Sequence, residues 1–426
     1  MAAQPVLHRP QRCRKVRPGR YDIFFGFSQI SVQGHLPSEA QMWDNLLSQV
    51  LLADTLGFET AWVGGAHFSL AEHQRTADAP TLPHFQGEVC LNTDIVQLAT
   101  ALYAATSRIG VGSAIQSIFT NGGPIVQAEA LRTFLTLKAL GPWKHRRLNF
   151  GFGTGRFDFV LEAHGIAPRT EAERLVWPVV KRRAFLEATE LFLRLLKGEA
   201  LASSDLSAQT LTEADLPDVV TWQQFLDLTG QAGSSVKLDH WWNFDHLQLI
   251  PRDVDLVTLD LYAGTTDPAV LRVANSIMPC KVFNLSNTPE QVITTTHEMM
   301  REVYHPAGGA WRRNSMPRTV LVFVNADAGK SDAARRKKAE AAALDAMSAW
   351  QRAMEGTVNP AKLRDGMSNC IFGCPSDVAR QIRERYDPDD RLMLWFDFNN
   401  HKTDEVEQMM TDFVAHVVPL LEAKEP

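Results

Sequence analysis

Residues 56–68 read Leu56-Gly57-Phe58-Glu59-Thr60-Ala61-Trp62-Val63-Gly64-Gly65-Ala66-His67-Phe68. A glycine stop after a helical stretch, followed at once by an apolar run, spells helix, turn and strand. Placed in a parallel barrel, that strand carries Gly64, Gly65, Ala66 and His67 at its C-terminal end, where barrel enzymes assemble their active sites. The same unit recurs along the chain.

Apolar, β-rich runs fall at 21–29, 60–66, 108–117, 147–153, 256–262, 279–285, 318–325 and 391–398. Segments of helical period lie near 38–56, 92–106, 124–140, 171–197, 266–276, 288–302, 331–355, 375–386 and 403–422. Strand and helix alternating in this way predict an α/β fold, a (β/α)8 TIM barrel with room for extra loops. Residues 199–250 break the alternation with Ser, Thr, Asp and Gln around isolated Trp222, Trp241, Trp242 and Phe244. They read as a long insertion between strands 4 and 5, either a lid, an oligomer contact or a partly disordered surface loop. Trp241, Trp242 and Phe244 would roof a substrate pocket or pack on the barrel. The expected organisation is one barrel domain over 21–422, preceded by a basic, disordered arm over 1–20. That arm holds Arg9, Arg12, Arg14, Lys15, Arg17 and Arg20 without the apolar core of a secretory peptide.

A net charge of −6 and a pI near 6.1 argue against a nucleic-acid or anionic-membrane binder, because phosphate affinity needs clustered Lys and Arg. Arg335-Arg336-Lys337-Lys338 reads as a solvated helix face. With five scattered cysteines and no long apolar stretch, the chain reads as soluble and cytoplasmic, without a disulfide framework or membrane span. Cys370 and Cys374 lack a second Cys/His pair nearby in sequence, so no metal site is expected. A small molecule is the expected ligand.

Three further segments bear on chemistry. In Arg108-Ile-Gly-Val-Gly-Ser-Ala-Ile-Gln-Ser117, the small residues Gly112, Ser113 and Ala114 would let a flat ligand approach the backbone, with Gln116 beyond them. Leu148-Asn-Phe-Gly-Phe-Gly-Thr-Gly-Arg156 ends in alternate glycines, a hydroxyl and a guanidinium. Asp260-Leu-Tyr-Ala-Gly-Thr-Thr-Asp-Pro268 ends a strand at Gly264 and opens a helix. Phosphate binding needs exposed N–H groups at a turn or helix start, helped by hydroxyls and an Arg. Thr154, Gly155, Arg156, Gly264, Thr265 and Thr266 supply these parts. Gly151-x-Gly153-x-Gly155 misses the dinucleotide fingerprint, whose third glycine stands three positions on.

Taken in order, these segments resemble the bacterial luciferase-like flavin monooxygenase superfamily over most of 21–198 and 256–422. The carriers are Leu56, Gly57, Phe58, Glu59, Trp62, His67 and Phe68; then Ile109, Gly112, Ser113 and Ala114; then Pro124, Gln127, Ala128 and Glu129. Gly151-Phe-Gly-Thr-Gly155 and Gly373-Cys-Pro-Ser-Asp-Val378 complete the set. The resemblance implies a barrel that binds FMN, or the deazaflavin coenzyme, at its C-terminal face. The ring system would lie by Gly65, Ala66, Ser113, Ala114 and Gln116, near a non-prolyl cis peptide. The phosphate would lie between Thr154-Gly155-Arg156 and Gly264-Thr265-Thr266, with Tyr262 directed at it or into the barrel wall. Two departures stand out: the family's Glu-His-His reads Gly65-Ala66-His67, and its Gly-x-Gly-Arg-Gly arginine is Thr154.

The expected activity is a two-component monooxygenase: a separate flavin reductase supplies reduced FMN, and one oxygen atom of O2 passes to a small organic substrate. Such chemistry needs dryness and a hydrogen-bonding group, and His67 is the best placed catalytic candidate, with a structural role as its alternative. Asn121, in Thr120-Asn-Gly-Gly123, would bond a flavin edge or shape the turn. His73, His84 and His164 read as surface residues. The alternatives are a deazaflavin-dependent hydride-transfer enzyme, which suits Ala66, and a non-catalytic flavin-binding or partner subunit. A homodimer is the expected assembly.

Overall fold

In a computed structural model the protein is described over residues 20–357 and 368–423. Residues 1–19, which hold nearly all of the expected basic arm, lie outside that range. The strands are β1 (Tyr21–Phe25), β2 (Thr60–Val63), β3 (Gly110–Ser117), β4 (Leu148–Gly153), β5 (Thr210–Thr212), β6 (Ser235–Lys237), β7 (Leu259–Ala263), β8 (Cys280–Val282), β9 (Arg318–Val324), β10 (Ile371–Gly373) and β11 (Leu392–Trp395). Nine of them form one parallel sheet in the order β10-β9-β11-β1-β2-β3-β4-β7-β8. A parallel bridge between Asn284 and Arg318 joins the segment after β8 to β9, so eight strands meet in a ring at this single rung.

The opening stretch folds as its residues dictate. Ser38 accepts the Gln41 N–H at 3.2 Å and starts the helix Glu39–Leu56. Gly57 ends it at φ 100°, a left-handed conformation that costs glycine little, and donates its N–H to Ala53. All four residues of β2 are buried, as a strand covered on both faces requires. It ends at Val63, so Gly64 to His67 form the loop above it.

Aromatic rings fill the ring of strands. Phe24, Trp62, Tyr262, Phe283 and Met393 form one cluster, with Trp62 edge-on to Tyr262 at 4.9 Å. At the N-terminal end of the strands an ionic group is buried. Asp22 accepts Nε1 of Trp62 at 2.8 Å and two N–H groups of Arg391 at 2.7 and 2.8 Å, and Arg391 also faces Glu59 at 3.2 Å.

The expected eight strands are all present, and β10 is an addition: its three residues pair with the C-terminal half of β9, Ile371 opposite Val322. A strand that short carries too little alternation to be read from sequence. The long insertion read at 199–250 is present and folded, not a partly disordered loop. It holds an antiparallel β5–β6 pair, a helix at Val219–Thr229 and a small core of Leu211, Trp222, Phe225 and Val236 shared with Val176 and Val180. Glu187 of the helix Trp177–Lys197 fastens it by accepting the N–H groups of Trp241 and Trp242 at 2.8 and 3.2 Å. Arg169 lies over the Trp241 ring at 3.9 Å. Trp242 stacks on Phe119 at 6.2 Å, so this aromatic group packs on the barrel. Among the described residues no helix is long and apolar enough to cross a membrane.

Candidate active site

Two adjoining cavities open at the C-terminal ends of the strands. The smaller, about 390 Å³, is a groove between the loop after β2, β3 and the turn after β4. The larger, about 540 Å³, is a chamber walled by β1, β11 and the residues that follow them. They share Gly65, Val89, Ala114, Arg156 and Leu285. Both volumes suit small-molecule sites, which run to roughly 300–1,000 Å³.

The groove brings together Gly65, Ala66, His67, Ala114, Gln116, Thr154, Gly155, Arg156 and Gly264 of the expected set. The Ala114–Ile115 peptide is cis, the non-prolyl bond anticipated near Ser113 and Ala114. His67 Nε2 lies 3.0 Å from Nε2 of Gln116. With the amide nitrogen on this side, it donates to the imidazole, and the proton of neutral His67 sits on Nδ1. His164, at 5.8 Å between rings, stands beside it and stacks on Phe68. Burial and then His164 lower the His67 pKa to about 4, against a small opposing pull from Asp94. His164, read from sequence as a surface residue, is half-buried, and its Nε2 has no partner among the described residues.

A ring system carrying N–H and C=O groups finds complements here. Oε1 of Gln116 is buried without a hydrogen-bond partner among the described residues and lies 3.3 Å from where a Cβ on Gly65 would stand. Gly65, Ala66 and Ala114 keep that floor low. Arg156 is exposed on the wall both cavities share, and its recorded contacts are the Phe157 ring at 5.2 Å and Met354 Sδ at 4.0 Å. A guanidinium facing a cavity without a carboxylate partner among the described residues suits an anionic group such as a phosphate. The groove is thus compatible with a flavin or deazaflavin coenzyme.

Several expected residues lie elsewhere. Tyr262 points into the barrel against Trp62 and borders neither cavity, which corrects its reading as a cofactor contact. Ser113 bridges β3 to β4, donating to the Gly151 carbonyl at 2.8 Å and accepting its N–H at 2.9 Å. Thr265 accepts the Asp267 N–H at 3.0 Å to start the helix Pro268–Ile277, and neither it nor Thr266 borders the groove. Asn121 takes the left-handed conformation, φ 53°, and donates to the Thr93 carbonyl at 3.1 Å, so it shapes the turn.

Of the glycines in these turns, Gly151 and Gly264 also serve packing. A Cβ on Gly151 would stand 2.3 Å from the Ser113 carbonyl oxygen, and one on Gly264 would stand 1.7 Å from Cδ1 of Ile115. The isoleucine after the cis bond occupies a socket that only glycines leave open. Gly155 alone among them needs its φ of +85°.

Sequence reasoning missed Asp397, just past β11 on the chamber wall. Its Oδ1 has no hydrogen-bond partner among the described residues, and burial, opposed by hydrogen bonding from the Trp395 side chain, pushes its carboxyl up to about 7. The signal was available: Leu392-Met-Leu-Trp-Phe-Asp397 ends a barrel strand in an acid.

A parallel α/β barrel with a flavin-compatible groove and an adjoining apolar chamber at its C-terminal mouth defines a class of cofactor-dependent barrel enzymes. The family model of the luciferase-like monooxygenases matches residues 23–389, and this chain belongs to that family. Among solved structures it is similar to the monooxygenase RslO1 from Streptomyces bottropensis, at 18% identity and TM-score 0.61 over 94% of this chain and 99% of that one. It is also similar to the type II Baeyer–Villiger monooxygenase of Pseudomonas putida, the oxygenating constituent of 3,6-diketocamphane monooxygenase in complex with FMN. That match has 12% identity and TM-score 0.54, covering 96% of this chain and 99% of that one. An F420-dependent secondary alcohol dehydrogenase in complex with an F420–acetone adduct matches at 15% identity and TM-score 0.50, over 96% of this chain and all of that one (100%). At these identities the likeness is one of fold. No curated protein sequence matches the chain.

Proposed function

We propose that this chain is a flavin-dependent monooxygenase that takes reduced FMN from a separate flavin reductase and uses O2 to oxygenate a small organic substrate. The observation that carries the reading is the pairing of the two cavities: a groove floored by Gly65, Ala66 and Ala114 with the Arg156 guanidinium on its wall, opening directly onto an apolar chamber. The flavin supplies the redox chemistry when bound. The chain's own part is to hold the ring system on the small-residue floor, answer its polar edge through Gln116, and keep water from the face that meets the chamber. His67 stands at this floor as a neutral imidazole with its Nδ1 proton to give.

A deazaflavin-dependent hydride-transfer enzyme is the second reading, favoured by Ala66, which lines the groove where the family pattern carries a histidine. Anaerobic titration with reduced FMN and, separately, reduced deazaflavin, followed by mixing with oxygenated buffer, separates the two. Tight FMN binding with rapid O2 consumption supports the monooxygenase. Preference for the deazaflavin with no O2 consumption moves the assignment to hydride transfer, and binding of neither points to a partner subunit.

Arg156→Ala tests the phosphate contact. It is expected to weaken FMN binding by about 1.5–3 kcal/mol, the worth of a charge-assisted hydrogen bond, and to leave riboflavin, which lacks the phosphate, unaffected. Equal FMN affinity in both proteins would show that the guanidinium serves another ligand.

A further inference from the structure

The chamber is lined by aromatic rings and holds a buried acceptor, Oδ1 of Asp397, without a hydrogen-bond partner among the described residues. Phe24 and Trp395 lie 4.5 Å apart, Trp395 and Phe398 4.8 Å, and Trp350 and Phe398 5.8 Å, so the rings form a continuous wall. Four of the polar side chains on that wall are turned back to the protein. Ser28, Asn399, His401 and Thr357 each hydrogen-bond a backbone carbonyl, of Val89, Ala346, Ile30 and Met354 respectively. Asp397 differs, because Oδ1 receives no donor from any described residue. A buried acceptor without a partner is costly, and a ligand that brings one gains both its own hydrogen bond and relief of that cost.

We propose that the chamber binds a flat, neutral, largely apolar substrate bearing a hydroxyl group, an aromatic alcohol of the naphthol kind, and that this hydroxyl donates to Oδ1 of Asp397. The aromatic wall selects flat apolar molecules by stacking and edge contacts. Charge disfavours the other ligands: an ammonium would have to give up its hydration against the aromatic wall, and an anion would meet the carboxylate itself. A neutral O–H answers Asp397 without bringing net charge into an apolar space. Because burial holds the carboxyl near 7, the same group can accept or return the hydroxyl proton close to neutral pH. This assignment rests on the smaller groove being the flavin site, with the chamber as its substrate side.

The test is equilibrium binding of 2-naphthol and its methyl isostere, 2-methylnaphthalene, to the full chain with and without FMN, at about pH 8, where the carboxyl is mainly ionised. The ratio of the two affinities is expected to favour the naphthol about tenfold more in the unaltered protein than in Asp397→Leu, as a hydrogen bond to a charged group would give. Asp397→Asn, which keeps an acceptor, should retain part of the preference. FMN affinity is expected to be the same in all three proteins, which also reports that the variants fold. An unchanged ratio in Asp397→Leu overturns the proposal, as does displacement of FMN by the naphthol, which would place the probe in the groove. Failure of all three proteins to bind FMN strikes the flavin reading alone, since the probe ratio measured without FMN still reads the chamber.

Discussion

Replacing His67 by alanine is expected to lower oxygen-dependent turnover by about 10²- to 10⁴-fold, the span of a positioned proton-handling group, while reduced FMN binds nearly as before. The geometry gives the reason. Gln116 fixes the imidazole through Nε2 at 3.0 Å, so the ring presents one defined donor at the small-residue floor of the groove. A pKa of about 4 keeps it neutral through the working range, and its donor does not come and go with pH near 6.5. The pH–rate profile should therefore lack a break from this residue near neutrality. The linkage has a definite sign: from the ordinary 6.5 down to about 4 the unfolded chain binds a proton that folded His67 does not. The residue's contribution to stability is complete above pH 6.5 and is lost as the pH falls through 4. Product formed per O2 consumed is the readout, and an unaltered yield in His67→Ala would remove the residue from the chemistry.

The second large effect lies at the other end of the barrel. Asp22→Ala is expected to destabilise the protein by about 3–5 kcal/mol, the cost of leaving a buried cation without its partner. Asp22 has no solvent exposure and answers three donors, one from Trp62 and two from Arg391. Its neighbour charges hold the Arg391 pKa above the ordinary value even though burial pulls it down. Removing the carboxylate leaves Glu59, at 3.2 Å and half-buried, as the remaining acid near the guanidinium. Urea unfolding followed by circular dichroism measures the loss, and Asp22→Ala combined with Arg391→Met should recover part of it. A loss under about 1 kcal/mol would mean that Glu59 takes over the pairing, leaving the site equivalent to a surface ion pair.

The barrel was legible in sequence because its long signals agree. The capped helix before Gly57, the run into β2 and the repeated alternation of strand and helix each point to the same architecture. The groove was legible in part for the same reason: Gly65, Ala66, His67 and Arg156 follow strand ends, Ala114 and Gln116 lie in the C-terminal half of β3, and these ends meet at one mouth. The misreadings share a different cause. Glycine looks the same in a string whether it exposes an N–H to a phosphate or makes room for Ile115, and only the fold tells the two apart. Ser113, Thr265 and Asn121 bear polar atoms whose partners are backbone groups brought near by tertiary packing. Tyr262 sits at a strand end, but side chains alternate along a strand, and without the register its inward direction could not be read. Asp397 passed unnoticed because an acid at a strand end is ordinary until its surroundings are known to be apolar.

The two ends of the inserted segment meet as neighbours. Leu201 and Leu247 exchange backbone hydrogen bonds at 3.0 and 2.9 Å, so the excursion leaves the barrel and returns at almost one point. Nothing between 199 and 249 borders the groove or the chamber. The segment thus leaves and re-enters on a closed stem, and the barrel holds it through that pair of leucines, through Glu187 beneath Trp241 and Trp242, and through the core shared with Val176 and Val180. Differences in substrate among barrels built this way would then be written in the loops after β1, β2, β8 and β11, while the insertion is free to answer to other demands.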